Sequence, residues 1–308
     1  MRKIIVSLLL LPLLARAADK LEILQSWFTN PVDAQLVIAL KKGYFAEENL
    51  DVTLIEPSDP SLPPKLVAAG KSDVAVTYQP ALQIDVAAGL PLSRVSTLIA
   101  APLNSLMVRE DSGIAQIADL QGKKVGYSVS GFEDAQLAAM LGSAGLTLAD
   151  VETVNINWSI TPALITRQVD AVIGAYRNFE YYQMAMENTP ARLFFPEEHG
   201  VPTHDELILV VHNSRRDDPV FRRMNRALEK ASLYIVNHPE EAWHTFTGYK
   251  DGLDDELNRK AWDDIIRRLA LRPAALDSQR YQRLADFLLE KGVIDKALPP
   301  VAAYAIEP

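Results

Sequence analysis

Two stretches about a hundred residues apart carry the same pattern. AAGKSDVAV at 68–76 and ITRQVDAVI at 165–173 each lead from a helix end through an aspartate, Asp73 or Asp170, into an apolar run. A tyrosine closes each run, Tyr78 in the first and Tyr176 in the second. Apolar runs this short, bounded by turn signals, fit strands buried on both faces. The surroundings repeat as well. Strands are expected at 21–26, 51–55 and 74–78 with helices at 31–42 and 64–69 between them, and again at 124–128, 151–156 and 171–176 with helices at 132–143 and 161–167. Alternation of this kind predicts an α/β chain of two similar halves, each with a mostly parallel sheet. Ligands of open α/β sheets bind beyond the carboxyl ends of the strands, so Tyr78 and Tyr176 are placed to face one cleft.

A further apolar strand is expected at 206–212, followed by helices at 219–237, 239–246, 254–269 and 278–290. A chain that leaves one lobe, builds the other and returns makes two crossings, expected near 102–108 and 203–208. Residues 18–105 with 207–308 then form one lobe and 106–206 the other. Paired crossings make a hinge, the device by which two-lobed proteins close around a ligand.

The first seventeen residues have the form of a cleaved export signal. Arg2 and Lys3 precede the apolar run at 4–14, and Ala15-Arg16-Ala17 supplies the small-x-small cleavage pattern. The run is too short to span a bilayer. The whole chain of 308 residues carries 31 basic and 40 acidic side chains, a net charge of -9. Loss of Arg2, Lys3 and Arg16 leaves 28 against 40, or -12. That balance argues against nucleic acid and acidic membranes as partners, both of which call for a basic face. There is no cysteine. Disulfides, thiolate metal sites and cysteine nucleophiles are therefore excluded, as is a lipid anchor attached to cysteine.

Catalytic chemistry finds little support in the sequence. GYSVSG at 126–131 lacks the glycine that a nucleophile elbow needs two residues after its serine, because Ser130 stands there. The five histidines form no helical metal pair, and Glu197, Glu198, His199, His204, Asp205 and Glu206 lack a regular ligand spacing. The turn at 128–134 places small residues before a helix, a usual anion site, but Glu133 and Asp134 occupy the first turn and complement the helix dipole themselves. A neutral or weakly cationic ligand is favoured there. Trp27 after the first strand and Glu180 after Tyr176 could hold a flat heteroaromatic ring, the one by stacking and the other by accepting from an amino group.

WFTNP at 27–31, KGYF at 42–45, YQP at 78–80, PLNSL at 102–106, GFEDA at 131–135, GAYRNFE at 174–180, PEEHGVP at 196–202 and HPEEAW at 238–243 together resemble the thiamine-precursor (formylaminopyrimidine) branch of the SsuA/THI5-like substrate-binding proteins. The likeness runs from about residue 21 to 305. It implies a type II periplasmic-binding-protein fold with the ligand between two lobes, a monomer free in the periplasm, and delivery to an inner-membrane ABC permease. It also implies stacking by Trp27 and Tyr176 on a pyrimidine, a hydrogen bond from its amino edge to Glu180, and Tyr78, Asn104, Glu133, Asp134 and Asn178 in the cleft. No catalytic residue, cofactor or metal is implied. Two departures bear on specificity, since the family commonly has histidine at Asp33 and tyrosine at His204. The superfamily's pyrimidine synthase uses a cysteine-rich segment and a sacrificial histidine; this chain lacks the cysteines and has Ala81 near that histidine's place. The alternatives are a binding protein for an aliphatic sulfonate or nitrate, and a pyrimidine-processing enzyme.

Overall fold

The computed structural model describes residues 17–308, so the expected signal segment lies outside the described residues except for Ala17. In chain order the first part is β1 (Asp19–Leu24), α1 (Ala34–Lys41), α2 (Tyr44–Glu47), β2 (Leu50–Ile55), α3 (Pro63–Ala68), β3 (Val74–Thr77), α4 (Gln79–Ala87) and β4 (Leu92–Ile99). The middle part is β5 (Asn104–Arg109), β6 (Lys124–Tyr127), α5 (Phe132–Ser143), β7 (Glu152–Asn155), α6 (Ile160–Ile165), β8 (Ala171–Tyr176), α7 (Glu180–Met186) and β9 (Ala191–Phe194). Then come β10 (Leu207–His212) and four helices, α8 (Pro219–Asn237), α9 (Pro239–Thr247), α10 (Glu256–Ile265) and α11 (Ser278–Glu290).

The strands form two five-stranded sheets of matching order, β2-β1-β3-β10-β4 and β7-β6-β8-β5-β9. In each, the repeated strands pair in parallel, and one strand from elsewhere in the chain enters antiparallel in the fourth place. The chain passes from the first sheet to the second at 100–103 and back at 195–206. The duplicated aspartates have one job in both halves. Asp73 accepts the backbone N–H of Glu22 on β1 and Asp170 that of Lys124 on β6, each at 2.9 Å, which ties each strand's leading turn to the neighbouring parallel strand.

Each sheet is packed on both faces. One face of the first carries α1, α8 and α9 through Leu36, Val37, Phe221 and Phe246, and the other carries Leu82, Tyr281 and Tyr304. The second sheet buries Leu137 and Met140 on one side and Ile160, Leu164 and Met184 on the other. Three expected elements differ in detail. The helix expected at 31–42 opens as a 3-10 turn over Pro31–Asp33, because Asn30 and Asp33 cap each other's backbone there. The helix expected at 254–269 is confined to Glu256–Ile265, with Asp255 capping Asn258 N–H. The short β7 is largely exposed at a sheet edge.

A candidate ligand site between the two sheets

The carboxyl ends of the strands of both sheets converge on one small cavity, walled by Ser26, Trp27, Asn30, Val32 and Tyr78 from the first sheet's side and by Val129, Glu133, Ile160, Gly174, Tyr176, Phe179 and Glu180 from the second's. It encloses about 30 Å³, roughly one water's share of liquid volume and too little for a six-membered ring. Aromatic contacts hold the walls together. Trp27 meets Trp158 edge-on at 4.3 Å, Phe28 lies 6.1 Å from Phe179, and Tyr78 stacks on Phe132 at 4.9 Å. Burial raises the phenols of Tyr78 and Tyr176 above their ordinary pKa, and the nearby Glu206 carboxylate adds to both shifts. At neutral pH they are uncharged donors and acceptors.

Two carboxyls give the cavity its chemistry. Glu133, in the first turn of α5, turns back on the preceding loop, where its Oε2 accepts from the N–H groups of Ser128 at 2.6 Å and Val129 at 3.1 Å. Two of the loop donors that an oxyanion would use are thus already taken by the protein's own carboxyl. Burial nevertheless pushes Glu133 up to about 8, the two N–H groups opposing it. Glu180, in the first turn of α7, accepts Tyr176 N–H at 2.8 Å and is pushed up to about 7, again chiefly by burial. Gly174 makes room for this arrangement, since its φ is +99° and a Cβ there would collide with the Glu133 carboxyl. The lining residues include no lysine, arginine or histidine.

Of the residues expected in the cleft, Trp27, Tyr78, Glu133, Tyr176 and Glu180 line this cavity, whereas Asn104, Asp134 and Asn178 do not. Asp134 caps its own helix by accepting Gly131 N–H at 3.0 Å. Asn178 is buried with neither amide atom hydrogen-bonded to the described residues, and Asn104 Oδ1 is likewise buried without a partner among them. The two specificity departures also stand off the cavity. Asp33 accepts Asn30 N–H at 3.2 Å and is raised to about 7, mainly by burial, while His204 Nδ1 lies 3.0 Å from the Pro202 carbonyl. The acidic and histidine-bearing stretch at 197–206 is divided among other partners: Glu197 pairs with Arg177 at 2.7 Å, Asp205 with Arg280, and Glu206 with backbone.

Several wall residues have no distinctive sequence signal. Val32, Val129 and Ile160 are apolar, Ser26 is one small hydroxyl among many in the sequence, and Trp158, which closes on Trp27, sits in a polar loop after an edge strand. Glu206 looks in the sequence like nothing more than the head of a strand. It is fully buried, and its Oε2 accepts the N–H groups of Leu103 at 2.5 Å and Asn104 at 3.1 Å, so it ties the return crossing to the outgoing one. Its charge also acts on the two tyrosines.

Comparison with known proteins agrees with this architecture. A Haemophilus influenzae protein named for thiamine biosynthesis is 51% identical over 300 residues, covering 97% of this chain and 95% of the other. The formylaminopyrimidine-binding protein of Halalkalibacterium halodurans is 30% identical over 252 residues, 81% of this chain and 76% of that one. Among solved structures, the alkanesulfonate-binding protein SsuA of Xanthomonas axonopodis pv. citri superposes with a TM-score of 0.73 over 94% of this chain and 99% of its own, at 17% identity. That likeness is one of fold, the periplasmic-binding-protein fold. The NMT1/THI5-like family profile matches residues 30–242, and the chain belongs to the NMT1/THI5-like family.

Proposed function

We propose that the chain is the solute-binding component of an ABC importer, exported by removal of residues 1–17, and that it captures a thiamine pyrimidine precursor such as N-formyl-4-amino-5-aminomethyl-2-methylpyrimidine. The observation that carries this reading is the cavity's make-up: aromatic walls, two buried carboxyls with raised pKa values, and no cation among the lining residues. An aminopyrimidine edge offers an amino donor beside a ring-nitrogen acceptor. A carboxyl that titrates near neutrality answers both, accepting from the amino group while it donates to or shares a proton with the ring nitrogen. Glu180 is assigned that contact, Trp27 and Tyr176 the stacking, and Glu133 a supporting role because its Oε2 already serves the loop.

A sulfonate or nitrate is the weaker reading, since Ser128 and Val129 N–H are occupied by Glu133 and no wall residue is basic. A pyrimidine-processing enzyme is weaker still, there being no histidine in the cavity wall and no cysteine in the chain. Because the cavity is too small for a ring, the reading also requires residues 18–105 with 207–308 to move as one lobe against 106–206, opening for entry and closing on the ligand. Free diffusion as a monomer and docking on an inner-membrane permease complete the proposal.

Calorimetric titration of the purified mature chain with the formylaminopyrimidine, 4-amino-5-hydroxymethyl-2-methylpyrimidine and taurine tests it. The pyrimidines are expected to bind and taurine not to; binding of taurine alone would overturn the assignment. Glu180→Ala should weaken the pyrimidine roughly ten- to hundredfold, with Glu180→Gln between it and the wild type. Unchanged affinity in both would place the ring elsewhere.

A further inference from the structure

A second cavity of about 250 Å³ adjoins the first. Tyr78 and Val129 wall both, and Phe132, stacked on Tyr78, belongs to the second. Its floor is one face of α4, for Ala81 and Asp85 follow Tyr78 at the i+3 and i+7 positions that share a helix face. At 1.5 Å per residue Asp85 lies about 10 Å along the helix axis from Tyr78, so it stands away from the wall the two cavities share. Pro60, Ser61 and Pro64 close one side, and the loop at 129–131 closes the other.

Asp85 is half-buried, and among the described residues its carboxyl has no hydrogen-bond or ion-pair partner. Burial lifts it to about 6, with the Lys65 charge opposing, so it is ionised at pH 7.5. A carboxylate drawn partly out of water without a partner is costly, and a cation in the cavity would offset that cost. Lys65 is the one basic residue on the wall; it is exposed, where solvent and salt screen its charge. The anion therefore dominates the inner part of the cavity.

We infer that the second cavity is a subsite for a cationic group carried by the pyrimidine, with Asp85 as its counter-ion, so that a pyrimidine bearing a cationic second ring is a better ligand than the same ring with a small neutral substituent. This rests on the reading of the first cavity as a pyrimidine site.

The test compares thiamine, whose thiazolium is such a second ring, with neutral 4-amino-5-hydroxymethyl-2-methylpyrimidine by calorimetry on the full mature chain at pH 7.5. Thiamine is expected to bind about tenfold more tightly. In Asp85→Asn the ratio should fall to about one, and in Lys65→Gln it should rise. Ala81→Phe, which fills the floor between Tyr78 and Asp85, should likewise abolish the preference and guards against a local effect of the Asp85 change. A neutral pyrimidine that binds with no gain for thiamine, or a gain that survives both Asp85→Asn and Ala81→Phe, overturns the subsite and leaves the pyrimidine reading standing. If neither compound binds while the formylaminopyrimidine does, the subsite is overturned and the pyrimidine reading stands; if the formylaminopyrimidine fails as well, both fall.

Discussion

Glu133 shows how one side chain changes what a loop can recognise. The turn at 128–131 before α5 has the small residues and free N–H groups of an anion site, and the carboxyl of the same helix fills it from within. Gly174 is the counterpart, because the carboxylate lies where any other residue would place its Cβ. Gly174→Ala should therefore both strain the backbone at φ +99° and push Glu133 off its two donors. A loss of about 2 kcal/mol or more is expected, read as a fall in melting temperature of at least several degrees, with pyrimidine affinity lowered in parallel. Wild-type melting and affinity in this variant would mean that Glu133 has another resting place. At this scale much of the wall is legible in the sequence: a tyrosine at the end of each repeated strand, a tryptophan after the first strand and a carboxylate after the last. The closure of Trp158 on Trp27 and the linkage of Glu206 to Tyr78 are not, since each joins residues more than a hundred positions apart.

Among the elements, the parallel strands and the long helices follow from apolar runs, caps and glycine stops. β4, β5 and β9 do not. β4 is LSRVSTLI, whose polar residues break the apolar run, yet every residue of it is buried. Arg94 explains the discrepancy. Its guanidinium donates to Thr97 Oγ1 and to the carbonyls of Pro273, Ala274, Ala275 and Ile306 at 2.6–3.0 Å, so both terminal nitrogens of a fully buried cation are held, mostly by the C-terminal segments, while Nε has no partner among the described residues. Arg94→Met would orphan those carbonyls and leave the tail held to β4 only by the backbone bonds of residue 94 with Tyr304 and Ile306, at a cost of about 3 kcal/mol or more, checked by urea unfolding. The insertion of β5 and β10 into opposite sheets is equally hidden, because pairing by exchange leaves no local pattern. The two crossings that result are laced by Glu206 and by Arg177, whose side chain donates to the carbonyls of Leu103 and Asn104 and pairs with Glu197. Glu206→Ala is expected to leave the Leu103 and Asn104 N–H groups unsatisfied, to lower stability by about 2–4 kcal/mol and to weaken pyrimidine binding through the tyrosine pair. A stability loss with affinity unchanged would confine Glu206 to the crossings.

For the whole molecule, the cleft and the turn beside it hold acids kept from water. Glu133, Glu180 and Asp33 stand at about 8, 7 and 7, raised by burial from ordinary values of 4.5, 4.5 and 3.8. A raised folded-state pKa means that the native chain holds protons the unfolded chain has released. The stabilisation is complete below about pH 4 and is lost as pH rises through 7 to 8. Carboxyls at ion pairs, Glu48 with Arg226 and Glu197 with Arg177, are shifted downward and act oppositely, losing their contribution only as pH falls below about 4.5. The two trends place the stability maximum of the ligand-free protein on the acid side of neutrality. Melting temperature is therefore expected to be higher at pH 5.5 than at pH 8.5 by several degrees, since each tenfold change in a group's proton affinity on folding is worth about 1.4 kcal/mol. The Glu133→Gln, Glu180→Gln double variant should flatten that slope, whereas removing the exposed carboxyl of Glu198 should not. A slope unaffected by the double variant would remove the cleft acids from the account of stability. Ligand adds a second reading of the same groups. A complex in which Glu180 shares a proton with the pyrimidine ring nitrogen must take up that proton at pH 8.5, where Glu180 is ionised, so the ligand should raise the melting temperature more at pH 5.5 than at 8.5. A complex in which an ionised Glu180 only accepts from the amino group would release a proton at pH 5.5 and reverse the order, and melting curves at the two pH values, with and without ligand, separate the two contacts.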